Sequence, residues 1–149
     1  MLIKLLENNE YLESMFTIEQ SVHIEPWSKK ILNDSFSERY INFGIFDENE
    51  LIGYAIFDYV LDEATLQNIA IAKNKQSKGL GKELLQYALN YLNQEKHIKT
   101  VFLEVRISNI PAISLYKKLG FNQDYVRKNY YKTLDGNFEH ALCFSKNFA

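Results

Sequence analysis

Apolar and polar positions along the chain recur with two periods, and the changes between them mark out the elements. Leu2 to Leu6 is a short apolar run that reads as a first strand. From Glu10 to Gln20, residues Leu12, Met15, Phe16 and Glu19 stand at spacings suited to an amphipathic helix. Pro26 then breaks the pattern, Ser28 is a good N-cap, and Trp27 before it is placed to staple onto Leu32, so a short helix is predicted from Ser28 to about Phe36. Three strand-like segments follow, about 41–46, 51–60 and 65–72, separated by polar groups at 47–50 and 62–63, as in an antiparallel meander. Leu80, Leu84, Leu85, Ala88, Leu89 and Leu92 then form one helical stripe. Thr100 to Val105 is a strand with almost no polar relief. Ser108 or Asn109 can cap another helix, with Pro111 in its first turn and Gly120 at its end. Two last strands, about 122–127 and 139–144, flank a polar turn at Asp135-Gly136-Asn137. The order β-α-α-β-β-β-α-β-α-β-β predicts an α/β protein with a central mixed sheet and helices on both faces.

At 149 residues, with 46% apolar and 24% charged positions, the chain is expected to form one domain over residues 1–149 around one core. A net charge of −2 argues against direct nucleic-acid binding, which needs a concentrated basic face. Cys143 has no partner for an internal disulfide and reads as a buried structural thiol. The N-terminus reaches Glu7 too soon for a signal peptide, and no run is long enough for a membrane span, so a cytoplasmic protein without membrane contact is expected. The His residues are scattered and offer no metal-ligand spacing, so no metal is expected.

Gln76-Ser77-Lys78-Gly79-Leu80-Gly81 lies directly between a strand and a helix. Glycines there leave backbone open to a ligand, and the helix start presents free N–H groups and a positive dipole end, which together suit a pyrophosphate. The loop is not a Walker A motif, because Glu83 stands where a magnesium-binding hydroxyl is required. It is not a dinucleotide fingerprint either, because Leu84 replaces the third glycine. Taken alone, the glycines equally fit a plain turn into a helix.

Val101, Leu103 and Val105 share one face of their strand, and Phe102, Glu104 and Arg106 the other. A carboxylate in so apolar a strand suits a general base, or an ion pair with Arg106 two residues on. Tyr116, at helical spacing from Ala112 and Leu119, fits either a core residue or a group with its hydroxyl at the edge.

These residues resemble the GNAT superfamily of N-acetyltransferases. The cofactor motif Gln/Arg-x-x-Gly-x-Gly/Ala is matched at 76–81. Further resembling segments are His23 to Ser28, Leu61 to Leu66, Asn68 to Ala70, Leu103 to Arg106, Ser108-Asn109, Leu115-Tyr116, Leu119 to Phe121 and Arg127 to Tyr131, which together span nearly the whole chain. Pro26-Trp27-Ser28, Leu103 to Arg106 and Asn129-Tyr130-Tyr131 are similar to the bacterial subfamily that acetylates the N-terminal alanine of a small-subunit ribosomal protein.

The resemblance implies acetyl-CoA as co-substrate, bound in a sheet splayed at the cofactor. Ile69, Ala70 and Ile71 are then expected to pair with the pantetheine arm, Ser77, Lys78, Gly79, Leu80, Gly81 and Lys82 to cradle the pyrophosphate, and Asn109 to touch the cofactor. It further implies Glu104 as base and Tyr116 as acid. Lys75, Ser77 and Lys78 depart from the aromatic and Arg residues of many relatives, a change that loop binding through backbone N–H groups tolerates. For an N-terminal peptide of a ribosomal protein, the Glu25-Pro26-Trp27 loop on one side and the Asn129-Tyr130-Tyr131 segment on the other are expected to wall the acceptor groove, with Asp62 or Glu63 facing a cationic second residue. Trp27 and the tyrosines also fit ordinary staple and strand roles, and His23 fits a local hydrogen bonder. The competing functions are acetylation of another protein or small-molecule amine, and non-catalytic CoA binding. A monomer or weak dimer is expected.

Overall fold

The structure, a computed structural model, describes residues 1–148. The strands are β1 (Leu2–Leu5), β2 (Tyr40–Asp47), β3 (Glu50–Val60), β4 (Glu63–Ile71), β5 (Thr100–Arg106), β6 (Asn122–Lys132) and β7 (Phe138–Asn147). The helices are α1 (Leu12–Val22), α2 (Lys29–Asp34), α3 (Leu80–Glu95) and α4 (Ile110–Lys118). The predicted order of elements is the observed one. Among the described residues no helix is long and apolar enough to cross a membrane.

The strands form one seven-stranded sheet in the order β1-β2-β3-β4-β5-β7-β6. Its N-terminal part is an antiparallel meander, and β4 beside β5 is its parallel pair. Leucines along α3 and Ile113 and Tyr116 of α4 cover one face, with Val101, Leu103 and Val105 of β5 packed beneath them. Met15 and Ile18 of α1 and Leu32 of α2 cover the other face, over Tyr54, Ile56 and Ala70. Ser28 caps α2 by accepting from the Ile31 N–H at 3.1 Å, and Trp27 packs on this second core. Cys143 is buried.

β4 pairs with β5 only over Glu63↔Thr100, Ala64↔Val101 and Thr65↔Phe102, and the two strands then part. On its other side β4 continues against β3 as far as Ile71, with one irregularity: Ile56 pairs with Asn68 and Phe57 with Leu66, leaving Gln67 as an extra residue. Such a bulge bends its strand and reverses the inside-outside parity. Ala64 and Leu66 accordingly point into the core under α3, whereas Asn68 and Ala70 turn to the α1 side. Ile69 and Ile71 take over the α3 side.

β3 passes unusually close to the end of β4. A Cβ on Gly53 would stand 2.6 Å from Ile71 Cδ1 and 2.8 Å from the Ala70 carbonyl oxygen, and a backbone oxygen cannot swing aside. Gly53→Ala is therefore expected to cost about 1–3 kcal/mol through overpacking. The check is thermal unfolding, where the midpoint should fall by several degrees; an unchanged midpoint would contradict so close an approach.

Candidate active site

The parting of β4 and β5 opens a cleft of about 490 Å³. Ile69 lines it from β4, Glu104 from β5, and Asn109 and Tyr116 from the start and body of α4. Trp27 from the α1–α2 loop and Tyr130 and Tyr131 from β6 also line it. Seven residues singled out from the sequence thus meet in one place.

Glu104 sits where the strands have already separated. Thr65 pairs with Phe102, so two residues further on the bulged Gln67 falls at the level of Glu104. Its Oε2 is buried and has no hydrogen-bond partner among the described residues. A buried carboxylate oxygen left without a donor is rare enough to mark a place for a proton or a ligand. Its Oε1 lies 3.7 Å from Arg127 Nε, an ion pair beyond hydrogen-bond distance.

The ion pair of Glu104 with Arg106, open from the sequence, does not form. Arg106 turns past the end of β5, where its guanidinium meets Glu25 at 3.2 Å and Glu139 at 3.1 Å and donates to the Lys132 carbonyl at 2.8 Å. It also lies over the Tyr131 ring, 4.6 Å from the centroid. Glu139 is held below the usual carboxylate range, first by its hydrogen bonds to Ser108 and then by Arg106.

Tyr116 is 5% exposed, and burial pushes its phenol up to about 12. Its ring packs edge-on against Phe121 at 5.9 Å. The negative charge of Glu104 raises Tyr130, while burial, with Glu104 second, raises Tyr131. Every phenol beside this carboxylate therefore keeps its proton near neutral pH and is a donor there.

The free edge of β4 carries its own hydrogen-bonding groups. The Ala72 N–H bonds the Ile52 carbonyl on β3. By the alternation of an antiparallel ladder, the backbone groups of Ala70 face β3 and those of Ile69 and Ile71 face the open side. Ala70 thus offers little more than spacing there, its side chain being buried in the α1-side core. On the open side the Ile71 carbonyl accepts from Gln76 Nε2 at 2.8 Å, which ties the loop that follows to the strand end.

In that loop Ser77 adopts φ 63° and Gly79 φ 79°, so the chain turns through two left-handed residues into α3. Gly79 caps α3 without a side-chain hydrogen bond, leaving the first-turn N–H groups of Leu80, Gly81 and Lys82 pointing outward. A Cβ on Gly79 would meet nothing within 4 Å, and one on Gly81 only ordinary contacts at 3.8 and 3.9 Å, from Ile71 and Leu115. Packing does not demand a glycine at 81, so the space above it suits a ligand. The loop, with Ser77 and Lys78 at its crest, fits a pyrophosphate on these grounds.

Asn109 caps α4, its Oδ1 accepting from the Ala112 N–H at 3.3 Å, and its amide group is left to face the cleft it lines. Asp62 and Glu63, by contrast, lie outside the cleft. Asp62 stands in the β3–β4 turn, where its carbonyl receives the Lys99 N–H at 2.7 Å, and Glu63 begins β4. The first β4 residue to line the cleft is Leu66, four residues beyond Asp62 or about 13 Å of extended strand. Neither acid therefore lines the cleft, whereas Glu25 does.

Glu19, Asn68 and Arg106 line the cleft without having been singled out for it from the sequence, and Glu25, from the loop expected to wall the acceptor groove, lines it too. Glu19 carried a signal, because it falls on the buried stripe of the first helix. His23, read as a local hydrogen bonder, does bond Asn68, with Nε2 2.8 Å from Oδ1.

Residues 8–121 match the family model described as Acetyltransferase (GNAT) family. The ribosomal protein bS18-alanine N-acetyltransferase of Escherichia coli (strain K12) is 44% identical over 125 residues, covering 84% of each chain. The protein of the same name from Haemophilus influenzae is 46% identical over 130 residues, 87% of this chain and 88% of that one. The crystal structure of the ribosomal-protein-S18-alanine N-acetyltransferase from Escherichia coli superposes with a TM-score of 0.93 at 40% identity, over 99% of this chain and 94% of that one. With the splayed sheet, the glycine loop and the cleft carboxylate already in place, these likenesses settle the family: the chain belongs to the acetyltransferase (GNAT) family and is an N-acetyltransferase.

Proposed function

We propose that this enzyme transfers the acetyl group of acetyl-CoA to the N-terminal alanine amine of ribosomal protein bS18, with Glu104 as base and Tyr116 as acid. The observation that carries this reading is the unpartnered, buried Oε2 of Glu104 in a cleft it shares with the buried, protonated phenol of Tyr116. The acceptor is taken from relatives more than 40% identical that bear that name.

Acetyl-CoA supplies an acetyl group activated as a thioester. Ser77, Lys78, Gly79, Leu80, Gly81 and Lys82 would hold its pyrophosphate through backbone N–H groups and the α3 dipole. The open edge at Ile69 and Ile71, spaced by Ala70, would hydrogen-bond its pantetheine arm as a neighbouring strand does. The Asn109 side chain would contact the same arm. A β4 backbone N–H near Ile71, facing the cleft, would donate to the carbonyl oxygen as negative charge develops there. Trp27 and the Tyr130-Tyr131 pair would wall an extended N-terminal peptide.

Glu104 accepts the proton of the attacking amine, directly or through one water, because its Oε2 has no hydrogen-bond partner among the described residues. A free α-amine has a pKa of about 8, so the base is asked for little near neutrality. Tyr116 returns a proton to the departing thiolate. A phenol at about 12 is fully protonated at working pH and so is always armed as donor.

Glu104→Gln and Tyr116→Phe are each expected to lower kcat by roughly 100-fold or more. Calorimetry should show acetyl-CoA still bound by both; full turnover in either variant removes that residue from the chemistry. The acceptor is tested by offering acetyl-CoA with an Ala-initiated bS18 peptide, a terminally blocked lysine peptide and spermidine, and reading the mass gain. Only the first should gain an acetyl group at a comparable rate. For that peptide kcat/KM should rise with pH through about 8 as the amine is freed, with no fall from Tyr116 below about pH 10. Gly81→Ala should leave the thermal midpoint nearly unchanged, since its Cβ meets only contacts at 3.8 and 3.9 Å, yet weaken acetyl-CoA binding by roughly tenfold.

A further inference from the structure

Glu19 is 1% exposed and its carboxylate has no part in the chemistry above, yet it lines the cleft. Isolating such a charge from water costs several kcal/mol unless hydrogen bonds replace the lost solvent. Three donors do so here. Its Oε1 accepts from the Tyr54 hydroxyl and, at 2.8 Å, from Asn68 Nδ2, and its Oε2 accepts from the Trp27 N–H at 2.9 Å. Because Asn68 spends its amide on Glu19, its Oδ1 is the acceptor towards His23, whose Nε2 therefore carries the proton. Burial, with Glu19 next, drives the Tyr54 phenol far above its ordinary value, so it remains a donor.

Each donor belongs to a different element, and two of the three line the cleft. Tyr54 stands on β3, Asn68 on β4 one residue past the bulge, and Trp27 in the loop that walls the cleft. A buried carboxylate is seldom the most stable filling for such a space, since apolar side chains of similar volume are commonly as good or better. What an apolar group cannot do is bind one backbone N–H and one side-chain amide at once. We infer that Glu19 is a positioning residue of the acceptor site, fixing the Trp27 wall against the open stretch of β4 so that the incoming amine meets the acetyl donor in one geometry. The inference rests on the acetyl-transfer reading above and adds to it the group that sets the acceptor wall.

The experiment compares Glu19→Gln and Tyr54→Phe with the unaltered enzyme. The Gln amide turns a donor toward either the Trp27 N–H or the Tyr54 and Asn68 donors, so the joint is broken at near-constant volume. Its KM for the Ala-initiated peptide is expected to rise roughly tenfold while KM for acetyl-CoA changes less than about twofold. Trp27 is the single tryptophan of the chain, so intrinsic emission reports the wall directly, and a red shift is expected. Tyr54→Phe removes a donor from Oε1 but leaves the Trp27 contact. It should lower the thermal midpoint without moving either the emission or the peptide KM.

Equal rises in both KM values for Glu19→Gln, or a fall in midpoint with unchanged emission and peptide KM, reduce Glu19 to a stabilising group and overturn the inference. So does a Tyr54→Phe variant that matches Glu19→Gln in peptide KM. If the unaltered enzyme acetylates no N-terminal peptide, the acceptor reading fails instead, and the emission of Glu19→Gln still decides whether Glu19 holds the Trp27 wall.

Discussion

An open strand edge inside a folded protein is a constraint that must be answered, because backbone N–H and C=O groups without partners are costly. Here β4 leaves β5 after Thr65, and the backbone groups of Ile69 and Ile71 are turned to the vacated side. The chain satisfies one of them itself, through Gln76 on the Ile71 carbonyl, and leaves the others to the cleft. The rest of the site is organised around that edge. The Gln67 bulge falls where the parting begins and at the level of Glu104, so the carboxylate faces space that a regular sheet would fill with a neighbouring strand. The glycine loop starts from the far end of the same edge and turns straight into α3.

The bulge also lets one strand serve two cores. Before it, Ala64 and Leu66 pack under α3; after it, Ala70 packs under α1 and Asn68 reaches Glu19. A strand of strict alternation would send all four side chains to one face. Tyr116 shows a similar double duty. Its ring packs in the interior against Phe121 and Phe144, and the same residue lines the cleft.

Features encoded within a few residues were legible in the sequence. Ser28 and Asn109 cap their helices as composition suggests, Gly79 turns into α3 with the positive φ its loop requires, and the leucine stripe of α3 is buried as its spacing implies. Features that depend on distant partners were not. The bulge has no glycine or proline to announce it, since Gln67 is set out of register by its pairing with β3. The extended reach of β6 to Lys132 follows from an irregular register with β7 between Arg127 and Tyr131. Arg106 looked like the natural partner of Glu104 from their spacing on one strand. Its real partner Glu25 lies 81 positions away, and no local pattern carries that information. Asp62 and Glu63, expected to face a cationic second residue, do not line the cleft, because four residues of extended strand separate Asp62 from Leu66.

The commitments of the cations explain why Glu104 keeps a free lone pair. Arg106 is held by Glu25, Glu139 and the Lys132 carbonyl, and it lies 4.6 Å from the centroid of the Tyr131 ring. Arg127 is 45% exposed and stacks 5.0 Å over Tyr130, which holds it at the edge of Glu104 and not against it. A guanidinium in full bidentate contact would have stabilised the charged carboxylate and occupied both of its oxygens. Tyr130 and Tyr131 each hold an arginine beside the cleft, Arg127 at 5.0 Å and Arg106 at 4.6 Å from their ring centroids, and neither guanidinium comes within hydrogen-bond distance of Glu104.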